Sequence, residues 1–168
     1  FILSEMREKG LPFDTVLKEA QRLGYAEADP TFDIEGIDAA HKITILSAIA
    51  FGVPVQFDKC HVEGIRQLQA EDIRYAEQLG YRIKLLGIAR RRERSDASPE
   101  GFELRVHPTL IPASRLIASV EGAMNAVLVK GDAVGHTMYY GKGAGAEPTA
   151  SAVVADLVDV ARMFTSDP

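Results

Sequence analysis

A chain of 168 residues is long enough to bury one core of its own, and 46% hydrophobic with 26% charged residues is a globular balance. The net charge of −5 argues against nucleic acid as a partner: the one basic run, Arg90-Arg91-Arg92-Glu93-Arg94, contains an acid and leads into a polar Ser/Pro/Gly loop, a solvated hairpin end. A single cysteine, Cys60, excludes an internal disulfide and a cysteine-built metal site.

In chain order, Leu3 to Lys9 reads as the tail of a helix stopped by Gly10. Asp14 is a candidate N-cap for a second helix, Thr15 to Leu23, closed by Gly24. An acidic loop follows, then an apolar helix from about Asp38 to Phe51, ended by Gly52 and Pro54. Val53 to Phe57 is a strand or a connector, and His61 to Leu79 holds one or two amphipathic helices ended by Gly80. Leu79-Gly80-Tyr81 echoes Leu23-Gly24-Tyr25 as a shared helix-ending device, not a repeat. Arg82 to Arg91 and Phe102 to Val106 read as strands, and Asn125 to Lys130 with Val134 to Tyr140 as a hairpin turned at Gly131-Asp132. A helix from Thr149 to Arg162, apolar at helical spacing, closes the chain. The order predicts an α+β fold, with helices on one face of a largely antiparallel or mixed sheet, in one domain over residues 1–168. No stretch reaches the roughly 18 apolar residues of a membrane span and no signal peptide opens the chain, so a cytoplasmic location is expected, with no membrane partner.

Chemistry concentrates between Gly24 and Lys42, where five acids (Glu27, Asp29, Asp33, Glu35, Asp38) and one lysine share nineteen positions. Asp38 and Lys42 stand four apart, so on a helix their side chains share a face. Such a pair is ordinarily a solvated salt bridge worth a few tenths of a kcal/mol. Here the next turns, Ile43 to Phe51, are apolar almost all round, as in a buried helix. A lysine at the mouth of a buried helix is expected to be partly desolvated, which lowers its pKa towards values useful for proton transfer.

The whole string resembles the signature of homoserine dehydrogenases: Ala20, three residues, Gly24-Tyr25-Ala26, then Asp29-Pro30, two residues, Asp33-Ile34, one, Gly36, one, Asp38, three, Lys42. The resemblance continues through His107-Pro108 to Pro112, Val120-Glu121-Gly122-Ala123-Met124-Asn125, and Gly141-Lys142-Gly143-Ala144-Gly145 with Pro148-Thr149. It implies an NAD(P)-dependent oxidoreductase that interconverts L-homoserine and L-aspartate 4-semialdehyde, in the biosynthesis of threonine and methionine. It implies Lys42 as the acid/base group and Asp38 as its holder and a substrate contact. Glu27 and Asp33 match acids that face the substrate's ammonium group. Asp29 and Glu35 have no such match and read as turn and solvent residues.

Glycines at 141, 143 and 145 permit close backbone approach, and the helix start beyond them offers free N–H groups. Alone, such a loop is a tight turn. The resemblance places it against the nicotinamide, with Gly143 and Gly145 as the cofactor-binding positions. The four histidines, 41, 61, 107 and 136, show no metal-ligand spacing, and His41 points about 100° away from Lys42 on the helix. No metal ligand is expected in these residues; family members bind sodium through a segment expected before Phe1. No GxGxxG unit is present, so a Rossmann domain is expected upstream of Phe1, and some relatives carry an ACT domain beyond Phe164. Residues 1–168 alone are therefore expected to be inactive, and a homodimer is expected through the strands. The rival reading is a non-catalytic dimerisation or binding module. Such a module is expected to lose Lys42 or its acids, and this chain keeps all four.

Overall fold

A computed structural model describes residues 1–93, 101–143 and 145–165. Its helices are α1 (Ile2–Lys9), α2 (Phe13–Arg22), α3 (Thr31–Ile34), α4 (Ile37–Phe51), α5 (Ala70–Gln78) and α6 (Ala146–Thr165). Its strands are β1 (His61–Val62), β2 (Tyr81–Arg92), β3 (Gly101–Pro112), β4 (Met124–Gly131) and β5 (Gly135–Lys142). The fold is α+β. The strands form two sheets, a mixed one in the order β1-β3-β2 and a separate antiparallel pair β4-β5.

β2 and β3 pair in register from Tyr81 opposite Pro112 to Arg92 opposite Gly101, and β1 joins β3 in parallel. Ile83, Leu85 and Gly87 alternate onto one face of β2. Ile83 and Leu85 pack against a core of Met6, Phe13, Val16, Ile34, Ile65 and Ile73, drawn from α1, α2, α5, the acidic loop and the segment between β1 and α5. Gly87 takes the weight of α4: a Cβ there would lie 3.0 Å from Cβ of Ile43. The expected helices on one face of a sheet are thus present on the β2–β3 ribbon, and β4–β5 stands as its own layer.

Several local expectations change. Asp14 lies in the first turn of α2 and Pro12 is the cap residue, with no side-chain cap bond. Pro12 pre-sets the helix entry through its fixed φ. Residues 61–79 hold one helix after a two-residue strand; α5 starts at a capping box in which the Gln69 N–H donates to the Asp72 carboxylate at 2.9 Å. Gly24 and Gly80, at φ +75° and +78°, end α2 and α5 alike, as the matching tripeptides predicted. Helix α4 is buried only along Ala40, Thr44 and Ser47, at helical spacing, while Ile45, Leu46 and Ile49 stay exposed. The polar loop expected between β2 and β3 falls on 94–100, outside the described residues. No helix among the described residues is long and apolar enough to cross a membrane.

Candidate functional site

The acidic loop leaves α2 through Gly24, where the Tyr25 and Ala26 N–H groups return to the Ala20 carbonyl at 2.9 and 3.2 Å. Gln21 reaches across and donates to the carbonyls of Glu27 and Ala28 at 3.0 and 3.2 Å. Asp29 is turn chemistry: its Oδ1 accepts from the Thr31 hydroxyl at 2.6 Å and the Thr31 N–H at 3.1 Å. Those two bonds, the hydroxyl's first, hold its carboxyl below the ordinary range.

Two close backbone approaches fix the far end of the loop. Gly36 takes φ +78° at the start of α4, and a Cβ there would lie 3.0 Å from Val106 Cγ1. Gly64 has no room for a side chain: a Cβ would press into the Ile34 carbonyl oxygen and lie 2.5 Å from Glu35 Cα. Around it the Glu63 N–H donates to the Val106 carbonyl at 2.8 Å and the Ile65 N–H to the Ile34 carbonyl at 2.7 Å. Ile34 between them is fully buried, at 0% exposure. Residues 63–65 therefore clamp the loop to the sheet, a feature that sequence patterning had merged into a helix.

On α4 the Lys42 Nζ donates to Asp38 Oδ2 at 2.5 Å, as the four-residue spacing requires. The expected desolvation is not supplied by this chain: the Lys42 side chain is 68% exposed and that of Asp38 43%. The reason is the one-sided burial of α4, which leaves the Lys42 side of the helix uncovered. Asp33 lies in the same electrostatic field. Its carboxyl is raised above the ordinary range by partial burial first, then by the Asp38 and Glu27 carboxylates, with Lys42 opposing them. Asp33 thus feels the charges of Glu27, Asp38 and Lys42, and Asp38 and Lys42 are in direct contact. His41 turns elsewhere, its ring 4.3 Å from Phe57 and 5.9 Å from Phe32. Glu35 does not join the group and pairs with Arg66 Nε at 2.5 Å.

The glycine loop follows β5. A Cβ at Gly143 would stand 2.7 Å from the Asn125 amide nitrogen, so a side chain there would displace the end of Asn125. Gly145 takes φ +119°, and its carbonyl accepts from the Thr149 N–H at 3.1 Å as α6 begins. Ala144 between them lies outside the described residues. Bare backbone at the start of a 20-residue helix fits a polar amide or phosphate group. Among the described residues, no hydrogen bond or ion pair joins this loop to the Lys42 group.

A second charged cluster escaped sequence reasoning. The Glu121 carboxylate accepts from Ser4 Oγ at 2.5 Å and Arg7 at 2.6 Å, and Lys84 Nζ lies 3.2 Å away. Lys84 also donates to the Val120 carbonyl at 2.5 Å. Burial alone would raise the Glu121 pKa; Arg7, Ser4 and Lys84 outweigh it and hold the carboxyl at about 2. The pairings span 117 and 114 residues, so no local spacing announces them. Among the described residues no group of three or more His, Cys, Asp or Glu side chains is arranged to hold a metal ion.

The homoserine dehydrogenase family model matches residues 1–158. A homoserine dehydrogenase of Pseudomonas aeruginosa is 71% identical over all 168 residues, which cover 37% of its length. A crystal structure of a homoserine dehydrogenase from Thiobacillus denitrificans matches with a TM-score of 0.93 at 77% identity, covering 100% of this chain and 38% of that one. A hyperthermophilic archaeal homoserine dehydrogenase in complex with NADPH matches with a TM-score of 0.72 at 30% identity, over 98% of this chain and 44% of that one. The chain thus spans well under half the length of these relatives. With the loop, the lysine helix and the sheet all inside the matched region, the chain belongs to the homoserine dehydrogenase family.

Proposed function

We propose that this chain is the substrate-facing, dimer-forming part of an NAD(P)-dependent enzyme that interconverts L-homoserine and L-aspartate 4-semialdehyde, in the amino-acid biosynthesis that leads to threonine and methionine. The observation that carries the reading is the Lys42–Asp38 pair at 2.5 Å, whose charges reach Asp33 together with that of Glu27, in a chain of this family. One ammonium and three carboxylates match a substrate that carries its own ammonium group and a hydroxyl to be oxidised.

Lys42 gives a proton to the aldehyde oxygen in the reducing direction and takes it back from the hydroxyl in the oxidising one, stabilising alkoxide charge meanwhile. Asp38 holds the ammonium of Lys42 in place. Glu27 and Asp33 face the substrate's α-ammonium and orient the carbon chain. The coenzyme, when bound, supplies or accepts the hydride; Gly143 and Gly145 offer bare backbone for its nicotinamide end. The exposure of Lys42 calls for cover from the rest of the enzyme, because a desolvated site strengthens each of these interactions. The homodimer forms through β4–β5, where Val127, Val129, Tyr139 and Tyr140 are exposed. The Rossmann domain, and any sodium site, lie outside residues 1–168, and the enzyme works in the cytoplasm.

The test is homoserine oxidation by the whole protein with each coenzyme, compared with its Glu27→Gln variant. Loss of a charge-assisted contact, worth about 1.5–3 kcal/mol, raises KM for homoserine at least tenfold and leaves KM for the coenzyme unchanged. Equal, small changes in both constants would reduce Glu27 to a loop carboxylate.

A further inference from the structure

The five acids of the loop do not act as one cluster. Asp38 pairs with Lys42 at 2.5 Å, and Asp33 feels both of them and Glu27. Glu35 pairs instead with Arg66, 31 residues further on, through Nε at 2.5 Å. The Arg66 guanidinium also lies within electrostatic reach of Asp29, where it adds to the stronger effect of Thr31. Arg66 directly follows Ile65, whose N–H holds the Ile34 carbonyl at 2.7 Å. Both the cation and the backbone that carries it are therefore fixed to two adjacent residues of the loop, Ile34 and Glu35. The loop's charges are thus divided: Asp38 pairs with Lys42, Glu35 pairs with Arg66 and Asp29 accepts from Thr31.

We propose that Arg66 is a positioning residue for the substrate pocket: paired with Glu35, it withdraws that carboxylate, as Thr31 withdraws Asp29, and leaves Glu27, Asp33 and Asp38 as the set near Lys42. The role rests on the homoserine reading above. Without Arg66, Glu35 is an unpaired carboxylate on a short loop that already carries excess negative charge. It then competes for Lys42 or for the substrate's ammonium, and like-charge repulsion loosens the Asp33 side of the pocket. The effect falls on substrate binding. The hydride step depends on Lys42 and Asp38, which keep their own contact on α4.

The experiment uses the whole protein with Arg66→Gln, Arg66→Lys, Glu35→Gln and the charge-swapped pair Arg66→Glu with Glu35→Arg. Arg66→Gln is expected to raise KM for homoserine about fivefold, the upper range for a partly exposed ion pair, with kcat and the coenzyme KM unchanged. Arg66→Lys and the swapped pair are expected to recover most of that loss, which a purely structural role would not produce. If Arg66→Gln does not fold, Glu35→Gln decides: it removes the carboxylate that Arg66 restrains, so its homoserine KM is expected to stay near normal, and a rise of about fivefold there overturns the role. Normal homoserine KM in Arg66→Gln, or equal changes in both KM values, also overturns it. A wild-type protein that does not oxidise homoserine overturns the reading of function and the role with it; an active wild type with an unaffected variant overturns the role alone.

Discussion

The acidic loop and the glycine loop are both short and punctuated by glycine, yet they are held in opposite ways. The acidic loop is anchored by a fully buried Ile34, by Gly36 against Val106, by Gly64 against Ile34 and Glu35, and by Gln21 across its entry. The glycine loop meets Asn125 at Gly143 and Pro148 at Gly145, then runs into α6, whose Val153, Val154, Leu157 and Val158 are exposed. The difference shows where this chain spends its packing. Under the proposed function, the residues that aim several charges at one small molecule are pre-set by the chain itself, which is what electrostatic preorganisation requires. A loop that offers only backbone needs less aim.

The sharpest way to break the comparison is to put the same side chain into both loops. Gly64→Ala forces a Cβ against the Ile34 carbonyl and Glu35 Cα, and an overpacked site of this kind costs about 3 kcal/mol, read as a large fall in Tm. Gly145→Ala meets Pro148 Cδ at 3.5 Å, ordinary contact, and bears only the strain of φ +119°, about 1 kcal/mol. Equal losses at the two sites would mean that the glycine loop is as tightly built as the acidic one.

Between these two in size comes the Glu121 cluster, which ties α1 to β2 and the segment before β4. Its folded pKa of about 2 lies below the ordinary 4.5, so its stabilisation is complete above about pH 4.5 and is lost as the pH falls towards 2. Once solvent screening of a partly exposed group is allowed for, the loss is about 2 kcal/mol. Glu121→Gln should remove that acid dependence and lower Tm near neutrality, because Arg7 and Lys84 are left facing a neutral amide. An unchanged acid transition in Glu121→Gln would assign the pH dependence to other carboxylates.

Periodicity and turn residues placed α2, α4, both hairpins and α6 in the sequence, because each depends on neighbours within a few positions. The Lys42–Asp38 contact was legible for the same reason. The exposure of Lys42 was not: an apolar helix announces that it will be buried, but not by which segment, and the described residues cover only its Ala40–Thr44–Ser47 side. The 63–65 clamp was hidden because Gly64 acts through a backbone approach to Ile34, thirty residues earlier, that no local pattern encodes. Glu35 read as a solvent residue because its partner, Arg66, is equally distant. The family resemblance, carried by fixed positions from Ala20 to Lys42, reached the acids around Lys42 but was silent on what holds them.

The central claim is that Lys42, held by Asp38, moves the proton in homoserine oxidation, and Lys42→Ala in the whole protein tests it most directly. Steady-state turnover at saturating homoserine and coenzyme should fall by roughly 10²-fold or more, the range for a positioned acid/base, with Tm little changed because the side chain is 68% exposed. Turnover within a few-fold of the wild type would remove Lys42 from the mechanism and leave the Lys42–Asp38 pair as the solvated salt bridge that its spacing alone suggests.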